Sequence, residues 1–361
     1  MNDTDNPFYS RILSAKHLDE IYALLNSNYV EDSRATCRLT YSKDYLYWYL
    51  KYVPKNLIIG LVYKDERGKS KLVGFVTAMY IDVVINNVHK HLPYISLLCV
   101  HKEFRGYELN KILVNSLKKN IFLQNMSPPT LDQPISVKKN NEVAFFSERC
   151  FEDHAHSVTL ECYSIPINFK KMREIQFLPE DEAPELPDAP SINTLHLLRE
   201  NDLPEVTTKL NTYLRKYPIK MFFTAESTKH FLMPKKDIVY SFVNKNASGA
   251  VTDFVSIYKN YYFCIKKKKM LSVGALAYYF YESMTLDDLI ALLIGKMTEY
   301  QIDQLVFYNN FDNMTISCTK YMTDTHLKFY FIGDPIHTTP DKNVYLSDLS
   351  LKANNHAIFP Y

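Results

Sequence analysis

The stretch PYISLLCVHKEFRG, residues 93–106, decides the fold, because an apolar run that indicates a buried strand passes directly into a basic corner. From Glu108 onward, apolar residues recur along one face of a helix. Where a strand turns straight into a helix, the first helical amides lack intrahelical partners and the helix dipole is positive. Such a corner suits a phosphate group. A plain connector with a basic surface is the alternative for this stretch taken alone.

The composition indicates a globular protein with no overall electrostatic preference. The chain has 361 residues, 47% of them hydrophobic, which suffices for one large domain or two ordinary ones. Its 42 Lys and Arg nearly balance its 40 Asp and Glu, so the net charge does not favour nucleic acid or an anionic membrane. Residues 1–20 carry no signal-peptide pattern, and the apolar stretch 272–281 is about half a membrane span. We expect a soluble, cytoplasmic protein without a metal site.

Cysteine usage predicts a reduced protein. The six cysteines show no C-x-x-C pair and no zinc-type spacing, and several stand in apolar surroundings. We therefore predict that they are reduced and mostly buried. Cys99 as a nucleophile is a second reading, although no His–acid partner is evident for it. The cysteines are Cys37, Cys99, Cys150, Cys162, Cys264 and Cys318.

The first part of the chain predicts the order helix, helix, three strands, helix. Residues 17–30 have the spacing of an amphipathic helix, and a second helix begins at Ser42. This order indicates a mixed α/β layer. The three strand patterns are residues 56–65, 71–85 and 93–100.

The second part of the chain resembles the first. Residues 176–190, QFLPEDEAPELPDAP, are acidic and Pro-rich, as is typical of an exposed connector. Beyond them, residues 194–214 repeat the helical opening. Residues 248–263, SGAVTDFVSIYKNYYF, resemble residues 70–85, SKLVGFVTAMYIDVVI, in a Ser-x-x-Val, a central Phe-Val and a Tyr. We predict two similar halves, residues 1–175 and 191–361, joined by the connector 176–190.

A second motif suggests a class of ligand. In ISVKKNNEVAFFSERCF, residues 135–151, we predict a short strand and then a helix in which Val143 to Phe146 pack inward. The motif resembles the strand–Asn-x-x-Ala-x-x-Phe-Tyr-x-x-x-Gly-Phe ending of GNAT-type acetyltransferases. Those enzymes bind the pyrophosphate of coenzyme A at a strand–turn–helix like residues 93–106. The two motifs in this order favour an acyl-CoA site over a plain connector.

Four strings narrow the resemblance to one family. They are LLNSNYVED at 24–32, KLVGFVTA at 71–78, SLLCVHKEFR at 96–105 and VTDFVSIY at 251–258. They resemble the N-myristoyltransferase family, whose pattern runs Leu-Leu-x-x-Asn-Tyr-Val-Glu-Asp, Lys-Leu-Val-Gly-Phe, Leu-Cys-Val-His-Lys-x-x-Arg and Val-Thr-Asp-Phe. The resemblance covers nearly the entire chain in the family's order. It implies an α/β fold of two tandem GNAT-like halves in pseudo-twofold relation, with a saddle-shaped mixed β-sheet flanked by helices.

The resemblance also implies an activity. Myristoyl-CoA, the acyl donor, would bind the N-terminal half, and the N-terminal glycine of a peptide or protein would enter between the halves and attack the thioester directly. The backbone amides of Leu97 and Leu98 would form the oxyanion hole. The C-terminal carboxylate, here that of Tyr361, would be the base. The tail is longer than the family's, but AIFPY at 357–361 is apolar enough to be buried.

Acyl-CoA contacts follow by the same residue-by-residue matching. The family has Ser-Lys-Arg where this chain has Gly106-Tyr107-Glu108, so coenzyme A should be held more weakly, mainly by backbone amides and Arg105. Lys102 and Lys111 could compensate. The matched positions are Asn28, Tyr29, Leu97, Leu98, Cys99, Val100, Arg105, Gly106, Tyr107, Glu108, Leu109 and Asn110.

Peptide contacts follow in the same way. Ser147 stands where the family has a His, and Asn309 where it has an Asp that receives a basic peptide group. We therefore expect less demand for a Lys in the substrate. The matched positions are Tyr29, Val30, Glu31, Asp32, Arg38, Leu39, Phe145, Ser147, Tyr281 and Asn309.

Two alternatives stay open at this point. One is a non-catalytic homologue that binds acyl-CoA or a glycine peptide. The other is an enzyme that uses a shorter acyl donor, since pocket depth sets chain length. In either case we expect a monomer that binds no nucleic acid and does not insert stably into membranes.

Overall fold

The computed structural model describes residues 6–31, 35–126, 143–147, 157–182, 184–188, 190, 195–332 and 356–359. The first of two similar groups of elements, called the N-half below, comprises β1 (Phe8–Ile12), α1 (Leu18–Asn28), β2 (Cys37–Thr40), α2 (Lys43–Tyr52), β3 (Ile58–Lys64), β4 (Ser70–Ile85), β5 (Val88–Val100), α3 (Leu109–Met126), β6 (Val143–Ser147) and β7 (Ser157–Pro166).

Helix α4 (Phe169–Glu174) follows β7. The second group, called the C-half, comprises β8 (His196–Leu197), α5 (Leu203–Leu214), β9 (Ile219–Met221), α6 (Ala225–Leu232), β10 (Val239–Lys245), β11 (Val251–Cys264), β12 (Lys269–Tyr281), α7 (Leu286–Glu299), β13 (Gln304–Tyr308) and β14 (Tyr321–Ile332). A last short strand, β15 (His356–Ala357), belongs to the tail.

The predicted order of the first part is confirmed as α1, α2, β3, β4, β5 and α3. Helix α2 begins where expected, because the Ser42 hydroxyl accepts a hydrogen bond from the Tyr45 amide at 3.0 Å. Helix α3 buries Leu109, Leu113, Leu117 and Ile121, and β3 to β5 provide the apolar surface that they cover. Periodicity was sufficient here because each element has one apolar side.

The sheet shows the duplication in its topology. Both halves run strand, helix, strand, helix, three strands, helix, two strands. The strand order is β1-β3-β4-β5-β6-β14-β7-β13-β12-β11-β10-β8, so each half inserts its last strand into the other. Strand β2 also pairs with β11, and β9 with β4. This reciprocal exchange is the pseudo-twofold relation, and the predicted fold class is confirmed.

The structural register of the repeat differs by two residues from the one that the sequence suggested. Gly74 of β4 pairs with Val100 of β5, and Phe254 of β11 pairs with Phe280 of β12. The sequence distance from Gly74 to Phe254 equals that from Val100 to Phe280, so Gly74 corresponds to Phe254 in the repeat. The shared Ser-x-x-Val had aligned Gly74 with Thr252. Because side chains alternate with a period of two, this error left the strand faces correctly matched.

The helix expected at 143–146 was wrong. Val143–Ser147 form the strand β6, which pairs antiparallel with β14 and parallel with β5. An unbroken apolar run of this length is typical of a strand between two neighbours, and Val and Phe favour strands. The helical prediction rested on the motif resemblance and not on periodicity.

The connector is only partly exposed. Its described residues, 176–182, 184–188 and 190, form no helix or strand, yet Leu178 is buried at 3% exposure. The Tyr321 hydroxyl donates to Glu182 and so attaches the connector to β14. The domain limits 1–175, 176–190 and 191–361 stay a prediction.

The apolar core runs through both halves without a break and includes the tail residues Ala357 to Phe359. Within the described ranges, no helix combines the length and the apolar character that a membrane crossing requires.

Candidate acyl-CoA and peptide site

Strand β5 contains a β-bulge at Leu97 and Leu98. The ladder with β4 passes from Ser96 directly to Cys99 and leaves the two leucines without Cα partners on β4. The φ of Leu97 is 56°, in the left-handed region that leucine rarely adopts. A bulge interrupts the ladder and redirects the backbone groups of the bulged residues.

The other edge of β5 also ends its pairing near this point. In the described part of the chain, β5 pairs with β6 only at Tyr94 and Ile95. Leu97 is buried and Leu98 is half-buried. The two leucines that the sequence matched to an oxyanion hole therefore lie where the β4 ladder is interrupted by a bulge and beyond the residues of β5 that pair with β6.

The corner after β5 has an open backbone. His101 begins a short 3₁₀ turn, and Gly106 and Glu108 have positive φ values of 94° and 55°. No Cβ on Gly106 would meet another atom within 4 Å, so the left-handed backbone and not crowding favours glycine there. Among the described residues, no acceptor meets the amides of residues 106–110 at the start of α3. This arrangement can receive an anion.

The cations of the corner are already bonded. The Arg105 guanidinium donates to the backbone carbonyls of Asn28 and, at 3.3 Å, Val100. Lys102 ion-pairs with Glu31 at 2.6 Å, and Lys111 ion-pairs with Glu108. The compensation expected from Lys102 and Lys111 is therefore reduced, because each ammonium faces a carboxylate. Tyr107, at 68% exposure, stands on the outside of the corner.

Asn28 connects helix α1 to this corner. Its side-chain oxygen accepts the Lys102 amide at 3.0 Å, and its side-chain nitrogen donates to the Leu24 carbonyl at 2.8 Å. Its own carbonyl accepts from Arg105. The buried Asn28 thus positions the corner instead of facing an open site, and the short motif Asn-Tyr-Val-Glu-Asp has a structural as well as a proposed binding role.

Glu31 lies before β2, and Arg38 and Leu39 lie within β2. Glu31 accepts hydrogen bonds from Arg38 at 2.8 Å and from Lys102 at 2.6 Å. Burial raises the pKa of Glu31, but these two hydrogen bonds outweigh it and hold the pKa below its usual value. The Leu39 amide donates to the Val30 carbonyl at 2.9 Å. The carboxylate therefore faces two cations of the chain.

A continuous row of aromatic rings crosses from the N-half to the tail. Neighbouring ring centroids are 4.8 to 5.9 Å apart. Burial raises the pKa of Tyr29 well above its usual value, and the nearby Tyr41 adds to the effect. Trp48 is core, as predicted. The row consists of Tyr29, Tyr41, Tyr45, Trp48, Tyr258 and Phe359.

Cys99 does not have the surroundings of a nucleophile. It is buried, and burial raises the pKa of its thiol to about 12, although Arg105 and Lys102 act in the opposite direction. A thiol attacks as its thiolate, and the thiolate is disfavoured here. The main reading of the cysteines, reduced and mostly buried, holds for Cys99, Cys162 and Cys264, which are buried, while Cys37 and Cys318 are half-buried.

The tail enters the core beside the second bulge. The ladder of β11 and β12 passes from Leu276 to Tyr279, which leaves Ala277 and Tyr278 bulged, as Leu97 and Leu98 are in the N-half. The Phe359 amide donates to the Tyr278 hydroxyl at 3.0 Å. Ala357, Ile358 and Phe359 are buried, as the apolar string AIFPY predicted.

Asn309 is paired with a carboxylate that the sequence reading missed. Its side-chain nitrogen donates to Glu161 on β7 at 3.2 Å, and its side-chain oxygen accepts the Glu161 amide at 3.0 Å. The Tyr163 hydroxyl also donates to Glu161, at 3.0 Å. A negative charge thus stands next to Asn309 after all. Only the pairing of β7 with β13 could reveal this, because the two residues are far apart in sequence.

Tyr281 belongs to a cluster around Asp312 that the sequence reading also missed. The hydroxyls of Tyr213, Tyr217 and Tyr281 donate to the Asp312 carboxylate at 2.7, 2.9 and 3.3 Å. Lys216 forms an ion pair with the same carboxylate. Burial raises the pKa of Asp312, but the hydrogen bonds of Lys216 and the tyrosines hold it below its usual value.

The strand–helix corner of the C-half is closed by its own side chains. The Asp253 carboxylate accepts the amides of Glu282 and Ser283 at 2.9 and 3.0 Å. Thr285 caps α7, because its hydroxyl accepts the Asp288 amide at 3.1 Å.

Some matched positions lie outside the described residues. Asp32 and Tyr361 are among them, and the side chains of Phe145 and Ser147 are not described. The backbones of Phe145 and Ser147 pair with Tyr330 and Lys328 of β14. Their proposed peptide contacts and the role of Tyr361 stay predictions.

Comparison with known proteins supports one family across both halves. Residues 8–130 match the model of the myristoyl-CoA:protein N-myristoyltransferase N-terminal domain, and residues 167–332 match its C-terminal domain. A protein of Acanthamoeba polyphaga mimivirus, named "Putative glycylpeptide N-tetradecanoyltransferase", is 36% identical over 339 residues, which cover 94% of this chain and 89% of that protein.

Cellular relatives are longer than this chain. A glycylpeptide N-tetradecanoyltransferase of Kluyveromyces lactis is 28% identical over 283 residues, 73% of this chain and 58% of that protein. The crystal structure of Saccharomyces cerevisiae N-myristoyltransferase with bound myristoyl-CoA shares the fold at a TM-score of 0.77 and 21% identity, over 98% of this chain and 89% of that one. The chain belongs to the myristoyl-CoA:protein N-myristoyltransferase family of acyltransferases.

Proposed function

We propose that this protein transfers a myristoyl group from myristoyl-CoA to the N-terminal glycine of peptides and proteins. The observation that carries the proposal is the bulge at Leu97 and Leu98, followed directly by the open amides of residues 106–110. A thioester carbonyl needs hydrogen-bond donors beside it, and a pyrophosphate needs a positive corner. In this chain the bulge lies on β5, and the open amides follow shortly after the end of that strand.

In the proposed reaction the amine nitrogen of the glycine forms a bond to the thioester carbon, and the carbon–sulfur bond breaks. The backbone amides of Leu97 and Leu98 donate hydrogen bonds to the carbonyl oxygen as its negative charge increases. The sulfur leaves with its electron pair as the coenzyme A thiolate. One proton of the glycine nitrogen passes to a base, because the amide product carries one proton fewer than the free amine.

We propose the carboxylate of Tyr361 as that base. The proposal is supported by Ala357 to Phe359, which are buried beside the bulged Tyr278, and by the aromatic row that continues from Phe359 to Tyr29. Tyr361 follows Phe359 by two residues in the sequence. A carboxylate removed from water is a stronger base than one in solvent.

The peptide would lie between the segment of Tyr29 to Leu39 and the C-half. Glu161 beside Asn309 provides a carboxylate for a basic peptide group, which supports retained preference for such a group. The loss of an Asp at 309 had suggested the reverse. A Lys-containing and a Lys-free Gly-peptide, compared in one assay with wild type and Glu161→Gln, separate the two expectations.

Turnover with a series of acyl donors tests the proposed function. The protein is incubated with C2, C8, C14 and C16 acyl-CoA and a Gly-peptide, and the masses of the peptide products are measured by mass spectrometry. We expect the mass of one myristoyl group on the peptide, and none on a control peptide that begins with Ala. A product with the C8 donor alone would replace the donor by a shorter one, and no product with any donor would remove the enzymatic proposal.

A non-catalytic acyl-CoA binder is the second candidate, because Arg105, Lys102 and Lys111 are all engaged with groups of the chain itself. Binding of acyl-CoA without turnover would favour it. We further propose, on the sequence alone, that the protein is a cytoplasmic monomer. The molar mass, measured by light scattering after size-exclusion chromatography, tests whether the protein is a monomer.

A further inference from the structure

The crossing of β2 onto β11 places two cysteines opposite each other. Strand β2 belongs to the N-half and β11 to the C-half, and the register of the pair sets Cys37 against Cys264. More than half of the chain separates the two cysteines, so nothing in the sequence brings them together. The reciprocal crossing, Ile219–Met221 of β9 against Val83–Ile85 of β4, contains no cysteine.

The hydrogen bonds identify which kind of strand pair the cysteines form. The Ile265 amide donates to the Thr36 carbonyl at 2.8 Å, so Thr36 and Ile265 are a hydrogen-bonded pair. Pairs alternate along an antiparallel ladder, and the next one, Cys37 with Cys264, is therefore a non-hydrogen-bonded pair. Side chains are closest in such pairs, at a Cα separation of about 4.5 Å. Disulfides span Cα separations of about 4.4 to 6.8 Å.

We propose that Cys37 and Cys264 are a redox modification site, at which oxidation joins the two halves by a disulfide. Both residues are thiols in the structure, and their side chains stand on the same face of the sheet. Cys37 is half-buried, whereas Cys264 is 3% exposed. A small oxidant therefore reaches Cys37 first and forms a mixed disulfide with it. The buried Cys264 then attacks the Cys37 sulfur and replaces the oxidant.

The chemistry balances with a low-molecular-weight disulfide such as oxidised glutathione as the oxidant. The Cys37 thiolate attacks one glutathione sulfur, the S–S bond of the oxidant breaks, and one glutathione thiolate leaves with the electron pair. The Cys264 thiolate then attacks the Cys37 sulfur and expels the second glutathione thiolate. The protein loses two electrons and two protons, and the oxidant becomes two glutathione thiols.

The position of the bond gives it a consequence for the molecule. Arg38, next to Cys37, ion-pairs with Glu31, and the segment before β2 leads to Tyr29. A disulfide would fix β2 against the C-half and so restrain relative movement of the halves at this crossing. The link also closes a very long loop of the unfolded chain, which stabilises the folded state.

Peptide mapping of the full-length wild type tests the proposal directly. The native protein is equilibrated in glutathione redox buffers, its thiols are blocked with iodoacetamide, and it is digested without reduction. We expect one cross-linked species that contains Cys37 and Cys264, that accumulates with the oxidised fraction of glutathione and that dithiothreitol removes. The oxidised protein should melt at least about 5 °C higher than the reduced protein.

The variants Cys37→Ser and Cys264→Ser provide the controls, and Cys318→Ser is the matched one, since Cys318 is also half-buried. The shift in melting temperature should vanish in the first two and persist in the third. Alkylation of both cysteines at every redox ratio, or a stable glutathione adduct at Cys37 without the cross-link, would overturn the proposal. The mapping needs no turnover, so failure of the proposed acyl transfer would leave this result unaffected.

Discussion

The two halves use the same strand–bulge–corner–helix unit, but only the N-half leaves it open. At the bulges, the N-half has Leu97 and Leu98 where the C-half has Ala277 and the fully buried Tyr278. At the helix starts, the amides of residues 106–110 before and in α3 meet no acceptor among the described residues, whereas the Thr285 hydroxyl accepts the Asp288 amide of α7.

The difference shows how a duplicated fold retains one site. The first amides of a helix have no intrahelical acceptor, so a capping side chain, solvent or a ligand must accept from them. The C-half supplies the capping hydroxyl of Thr285 at α7 and the ring of Tyr278 at the bulge, whose hydroxyl accepts the Phe359 amide. Among the described residues, the N-half accepts the Lys102 amide through Asn28 but offers no acceptor to the start of α3, so this corner suits a ligand that carries a negative charge and an acyl chain.

Removal of the carboxylate that closes the C-half corner should destabilise the protein strongly. Asp253 is fully buried and accepts from Asn244 and Thr252 in addition to the two amides. In Asp253→Ala these donors stay buried without an acceptor, and the free energy of unfolding should fall by about 3–5 kcal/mol. Denaturant titration measures it.

The matched control for this prediction is Asp65→Ala. Asp65 also accepts two amides, those of Arg67 and Lys69, but in a turn that solvent reaches. Its loss should cost about 1 kcal/mol. An equal loss in the free energy of unfolding in the two variants would show that burial of the Asp253 hydrogen bonds does not increase their contribution to stability.

Transfer of the C-half residue to the N-half bulge should close the proposed site. In Leu98→Tyr an aromatic ring occupies the space beside the bulged amides, as Tyr278 does in the C-half. We expect acyl transfer to fall by about 100-fold or more, the scale of losing an oxyanion-hole donor. The free energy of unfolding should change by less than about 1 kcal/mol, because Leu98 is half-buried. The control is Leu98→Met, and unchanged turnover in Leu98→Tyr would contradict the site.

Acid should weaken the contact between the halves at His230. This residue of α6 stacks between Trp48 and Tyr52 of α2, with centroid distances of 4.7 and 4.1 Å. Burial, with a contribution from Lys235, lowers the pKa of His230 to about 4. Because the unfolded state binds the proton first, His230 stabilises the fold above about pH 6.5, and this contribution is lost as the pH falls towards 4.

The expected loss is about 3 kcal/mol at most. It is measured as the free energy of unfolding at a series of pH values, with His230→Gln as the variant in which this part of the dependence should disappear. The same slope in wild type and variant would show that other groups govern the acid loss.

Reversal of one charge at the open corner should tighten coenzyme A binding. Glu108 is exposed and engages Lys111, and in Glu108→Lys the carboxylate is removed and a cation added. The dissociation constant of coenzyme A should fall by about 5- to 10-fold at low salt and by less at high salt. Calorimetric titration measures it, with Glu66→Lys, on the exposed β3–β4 turn, as control. Equal affinity in the three proteins would show that the phosphates lie elsewhere.

The sequence was a good guide where a segment carries its own structural signal. The helices α1, α2 and α3, the strands β3 to β5 and the burial of Ala357 to Phe359 follow from periodicity, capping and apolar content, which are local properties. The corner after β5 was found in the same way, because Gly106 and the strand–helix junction are visible in the residues themselves. The family strings gave the overall fold.

The sequence failed where partners come from distant segments. It assigned 143–146 to a helix, since the pairing of β6 with β5 and β14 is not visible in a short apolar run. It treated Lys102 as an available cation, although Glu31 engages it. The Lys111–Glu108 ion pair is local, at i and i+3, and was overlooked although both residues stand in one segment. It left out Glu161 and Asp312, whose partners Asn309 and Tyr213 are remote along the chain.

Residue spacing along single segments was enough to predict α1, α2, α3, β3 to β5, the duplication and the backbone corner after β5. The folded chain was needed to show that Glu161 lies beside Asn309 and that Cys37 faces Cys264. These two pairings depend on the exchange of β7 and β2 between the halves. A side chain's partner is set by the strand beside it, and strand order is a property of the whole chain.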